Sequence, residues 1–161
     1  MLKKVVPLTA GALIATAAWL PAPAASASTS GNAVIYWSFM NRGTGKCMST
    51  YESGAIRALP CDTSANAQEW RWVNSSWNSG YRLLKNRWTG KCLISSVPIS
   101  SGTCEDWTSR HWKNTFITND AYTLLSAEHQ GYLWSNGSDE LWLLASQLAH
   151  TEWFMRVRDT A

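Results

Sequence analysis

The chain has 161 residues, enough for one domain, and a formal net charge of +3 with 14 basic and 11 acidic residues. No Lys/Arg run stands out, so the clustered cations needed to neutralise nucleic-acid phosphates are missing and no nucleic-acid partner is expected. No segment beyond the N-terminus is apolar enough for a membrane span.

The first 27 residues read as a secretory signal peptide. Lys3 and Lys4 form a positive start, Val5 to Leu20 is apolar, and Ala25-Ser26-Ala27 offers an A-x-A cleavage site. Removing them from 161 residues leaves 134, with 12 basic and 11 acidic. The mature surface is then nearly neutral. A secreted, extracellular location follows as an expectation. Residues 28–34 form a short polar tail.

Beyond the leader, short apolar or aromatic runs alternate with Gly, Asn and Ser clusters: Ala33–Phe39, Tyr81–Leu84, Tyr122–Leu125, Leu141–Leu144 and Trp153–Val157. Long helical stripes are scarce, which is an all-β pattern. "NRGTGKC" at Asn41 to Cys47 returns 45 residues later as "NRWTGKC" at Asn86 to Cys92. Gly45 and Gly90 supply the positive φ of a tight turn before a strand. A third, weaker copy follows 41 residues on, with Tyr122 on Tyr81, Gly131 on Gly90 and Leu133 on Cys92. Each copy closes on a tryptophan: "QEW" at Trp70, "RHW" at Trp112, "TEW" at Trp153. The predicted repeats span 35–78, 79–119 and 120–158. Blades of a propeller have a similar length, but three blades do not close one. Three β units closing on themselves suggest a β-trefoil over 35–158.

Four cysteines in an exported chain suggest two disulfides, and pattern alone allows three connectivities. Metal ligation fits poorly, because no C-x-x-C pair is present. No cofactor is implied. His111, His129 and His150 are read as lying in three separate loops. No G-x-S-x-G, H-E-x-x-H or P-loop pattern occurs, so no enzyme is indicated.

The phrase N-x-x-T-G-K-C, a second cysteine and then Q-x-W resembles the ricin-B-type β-trefoil, or R-type lectin-like, domain. The resemblance covers nearly all of the mature chain. It implies intra-repeat disulfides Cys47–Cys61 and Cys92–Cys104, and burial of Trp70, Trp112 and Trp153 in the core. It also implies a three-part sugar site per repeat: an Asp two residues after the first cysteine, an aromatic two before the second, and an Asn-like group three before the closing tryptophan. The first repeat offers Ser49, Leu59 and Ala67. The second offers Ile94, Gly102 and Ser109. In the third, counting nine residues back from Trp153 puts the missing cysteine at Leu144, which gives Ser135, Trp142 and His150 as the candidate sugar site. Asp139 or Asn136 is a possible substitute for its missing carboxylate.

Of the eleven tryptophans, ten follow the leader. Trp77, Trp88 and Trp107 fall in polar loops and are the candidate partner-binding aromatics, since exposed tryptophan is enriched at interface hot spots. The expected function is an adaptor or structural subunit joining secreted protein partners in a toxin-like complex. The alternative is weak glycan binding through the third repeat.

Overall fold

The computed structural model describes residues 33–160. The proposed signal peptide and residues 28–32 of the tail lie outside the described residues. Twelve strands follow in order: β1 (Ile35–Asn41), β2 (Cys47–Thr50), β3 (Ile56–Leu59), β4 (Trp70–Asn74), β5 (Arg82–Asn86), β6 (Cys92–Ile94), β7 (Ser100–Gly102), β8 (His111–Thr118), β9 (Ala121–Ser126), β10 (Tyr132–Ser135), β11 (Leu141–Leu144) and β12 (Glu152–Thr160). Three single 3-10 turns, Asn66–Gln68, Thr108–Arg110 and Ala149–Thr151, each lead into a barrel strand.

Pairing closes a ring of six strands. β1 pairs with β4, β4 with β5, β5 with β8, β8 with β9, β9 with β12, and β12 with β1. The remaining strands form three hairpins, β2–β3, β6–β7 and β10–β11, one per repeat. This is a β-trefoil, and closure removes the barrel's free edges. Both disulfides fall within a repeat, Cys47–Cys61 and Cys92–Cys104.

The barrel is filled in layers. Trp70, Trp112 and Trp153 are fully buried and sit opposite Asn86, Ser126 and Asn41. Each indole Nε1 donates to a hairpin carbonyl of its own repeat: Met48 at 3.2 Å, Leu93 at 3.1 Å and Leu133 at 3.0 Å. One layer below, Phe39, Leu84 and Leu124 are fully buried. They face Met155, Trp72 and Asn114 across the ladders.

The repeated Asn-Arg pair staples one repeat to the next. Asn86 Oδ1 accepts from the Trp88 and Thr89 amides at 3.0 and 3.1 Å, which shapes its turn. Its Nδ2 donates to the Ala67 and Glu69 carbonyls, both at 3.0 Å, in the repeat before. Asn41 does the same between the first and third repeats, donating to the His150 carbonyl at 2.8 Å. The neighbouring arginines pair with acids of the closing motifs, Arg87 with Glu69 at 2.7 Å and Arg42 with Glu152.

The third repeat aligns differently from the sequence reading. Gly45 and Gly90 have φ of +69° and +67°, and the corresponding turn residue is Gln130 at +51°, not Gly131. Ladder pairs agree: Met40↔Cys47, Lys85↔Cys92 and Leu125↔Tyr132. Tyr132, not Leu133, is therefore the partner of Cys92. Matching glycine to glycine displaced the alignment by one residue.

Candidate functional site

That one-residue shift reverses which face a strand residue presents. In the hairpins, Ser49 pairs with Arg57, Ile94 with Ser100 and Trp134 with Trp142. The position expected to carry a carboxylate is thus Ser49, Ile94 and Trp134. The platform position pairs with the first cysteine or its equivalent, giving Leu59, Gly102 and Leu144. No repeat carries the acid, and none carries the ring. In the second repeat a Cβ on Gly102 would lie 2.9 Å from Ile94 Cδ1, so the two positions lean on each other and leave no room for a platform.

The set Ser135, Trp142 and His150 does not converge on one cleft. Ser135 is fully buried opposite Leu141, whereas Trp142 projects from the other face beside Trp134. His150 Nδ1 donates to the Ser135 carbonyl at 2.8 Å. Its ring packs on Gly43, where a Cβ would lie 2.7 Å from His150 Cδ2. The corresponding partners at the next joint are Trp88 and Ala67, so the bulky member has changed sides. His150 is a joint residue, and Trp142, 36% exposed, shares the hairpin's outward face with Trp134. Asp139 is taken up by Lys46 at 3.0 Å.

The aromatic edge of the second repeat is organised by a residue that sequence placed in a loop. His111 opens β8 and is fully buried. Its Nδ1 donates to the Trp107 carbonyl at 2.8 Å. Nε2 lies 2.7 Å from Ser75 Oγ and 2.9 Å from Asp106 Oδ1, while Ser75 and Asp106 are 2.6 Å apart. Trp77 stacks on the imidazole at 4.7 Å and meets Tyr81 edge-on at 5.6 Å. Trp107 lies under the Arg110 guanidinium at 4.5 Å. The two loops are locked together while Trp77 and Trp107 remain 40% and 61% exposed. Trp88 is also exposed, in the turn whose Gly90 carbonyl lies 3.4 Å from Cys104 Sγ.

Ser75, His111 and Asp106 do not form a charge-relay triad. Such a triad needs the acid on one ring nitrogen and the hydroxyl on the other. Here both address Nε2, and a carbonyl occupies Nδ1. The Ser75 hydroxyl, followed by His111, holds the Asp106 carboxyl below its ordinary range. The cluster clamps loops. Nothing in the sequence marked it, because Ser75 comes from a different repeat, 31 residues before Asp106 and 36 before His111.

The Cytolethal distending toxin A/C domain matches residues 26–105. No curated protein matches the chain. Among solved structures, the designed threefold-symmetric protein ThreeFoil is 20% identical, with a TM-score of 0.66 over 77% of this chain and 98% of its own. SeviL, solved with the asialo-GM1 saccharide, is 18% identical, with a TM-score of 0.65 over 76% of this chain and 97% of its own. A GlcNAcα1-4Gal-releasing endo-β-galactosidase from Clostridium perfringens is 17% identical, with a TM-score of 0.68 over 78% of this chain but only 33% of the enzyme. At these identities the structural likenesses speak to fold. With the ring of six strands and the three hairpins, they show that the chain has the β-trefoil fold, and its hairpin cross-links and closing tryptophans resemble those of ricin-B-type domains.

Proposed function

We propose that the protein is a secreted, non-catalytic binding subunit that joins other secreted proteins in a toxin-like extracellular assembly. The observation that carries this reading is the clamped pair Trp77 and Trp107. Trp77 stacks on the buried His111, which also holds the Trp107 backbone carbonyl while Arg110 lies over the Trp107 ring, yet both rings stay exposed. Preorganised aromatics lose little freedom on binding and are typical interface anchors. The match to the toxin A/C domain, which includes Trp77, supports the assembly. The loss of acid and ring at all three lectin positions argues against repeat-wise sugar binding.

Affinity capture from culture supernatant with the tagged protein tests this. A defined set of secreted proteins should be retained by the parent and by Trp142→Ala, and lost with Trp77→Ala/Trp107→Ala. Retention of the parent on a glycan matrix, with no protein captured, defeats the adaptor reading.

One observation favours a second reading. Trp142 is exposed beside Trp134, a surface on which a pyranose C–H face can stack. The fold shared with SeviL is consistent with weak glycan binding there. On this reading Trp142→Ala abolishes glycan retention while Leu59→Ala leaves it intact.

A further inference from the structure

The barrel end opposite the hairpins opens into a cavity of about 560 Å³. Its floor is the layer containing Trp72 and Asn114, and its rim is the next layer out: Trp37, Arg82 and Tyr122, one residue per repeat at the same ladder position. Arg71 joins them from β4. The threefold pattern therefore carries rings in two repeats and a guanidinium in the other. We propose that this mouth is a binding site for a carboxylate-bearing saccharide.

The cavity holds cations without anions. None of the described residues lining it is acidic. Arg71 keeps its place in the β4–β5 ladder opposite Lys85, but its guanidinium has no hydrogen-bond or ion-pair partner among the described residues. Arg82 donates to Asn114 Oδ1 at 2.8 Å and lies 4.4 Å over the Trp72 ring, with no carboxylate beside it. Its partial burial lowers its pKa, the mark of a charge short of solvation. Trp72 Nε1 is buried and has no hydrogen-bond partner, an orphan donor at the same floor. The charged residues of the lining, Arg71 and Arg82, are both cationic, so the fitting occupant is anionic. A guanidinium pairs a carboxylate through two parallel hydrogen bonds.

The walls select what carries that carboxylate. Trp37 and Tyr122 offer π faces to a sugar's C–H face, and Asn74 offers an amide to its hydroxyls. The volume lies in the small-molecule range, and the mouth is far smaller than a stable protein interface requires. A terminal acidic sugar fits this well, with the rest of its chain leaving through the open end. The site is separate from Trp77 and Trp107, so it stands or falls independently of the adaptor reading.

The test titrates the purified protein with glucuronate and with N-acetylneuraminate, following indole resonances by NMR. Glucose serves as the neutral control and inorganic phosphate as the bare anion. Saturable shifts at the Trp37 and Trp72 indoles with either acidic sugar are expected. Affinity should fall about tenfold or more in Arg71→Gln. Arg82→Gln should bind still less, but Arg71 is the safer probe because its guanidinium supports no other described residue. The proposal is overturned if neither sugar shifts these indoles at millimolar concentration. Equal binding of glucose, equal binding of phosphate, or unchanged affinity in Arg71→Gln overturns it too.

Discussion

Asn86 shows how much one side chain does here. It is 2% exposed and makes four short hydrogen bonds, two to its own turn and two to the preceding repeat. Asn86→Ala leaves those buried groups unpaired and should cost about 2–3 kcal/mol, read as a lower denaturant midpoint. A change within experimental scatter would refute the staple. Sequence revealed the turn, since N-x-x-T-G repeats and glycine suits positive φ. It concealed the second task of the Asn, because the groups that Nδ2 reaches are backbone carbonyls with no residue signature. It also concealed Gln130, which holds a left-handed conformation that sequence patterns assign to glycine.

Asp106 belongs to the same scale. Its carboxyl is held below the ordinary range first by the Ser75 hydroxyl and then by His111. A carboxyl depressed in the folded state adds stability that is complete above its unfolded pKa, about 3.9, and is lost as pH falls through the folded value. Ser75→Ala removes the larger cause. Carboxyl NMR titration should then show Asp106 moving up towards the ordinary value, with less stability lost on acidification. An unchanged titration would show that Ser75 is incidental.

Among the elements, the hairpins decide which residues face a ligand. Cysteine spacing made two of them legible, since a short covalent loop fixes register. The third has no cysteine, and counting from Trp153 could settle on either face. The distance from second cysteine to closing tryptophan already differs between Cys61–Trp70 and Cys104–Trp112, so it was no ruler for the third repeat. The cross-links also carry stability. The bridges span sequence separations of 14 and 12, and limiting such loops in the unfolded chain contributes about 3 kcal/mol each. Cys92→Ala/Cys104→Ala should lower unfolding free energy by about that amount while keeping the β spectrum. Loss of the spectrum would mean that the bridge is needed to form the second repeat at all.

For the whole molecule, threefold symmetry is close in the barrel and broken outside it. The buried tryptophans and the Phe39, Leu84 and Leu124 layer recur in every repeat, because a closed barrel needs matching volume from each. Repeat length and the closing motif made this part readable. The mouth and the aromatic edge were not readable, since they join residues of different repeats at positions where symmetry fails. The same asymmetry sets which part opens first. β2–β3 and β6–β7 are tied by sulfur to the segments that follow them, whereas β10–β11 relies on its ladder and on packing by Leu133 and Leu141. Local opening follows the least constrained unit. Amide exchange in the oxidised protein should therefore be fastest in Tyr132–Leu144 among the three hairpins. Reduction should accelerate the other two towards it, with the barrel strands least affected. Equal protection of all three hairpins before reduction would show that strand pairing outweighs the bridges in holding the native repeats shut.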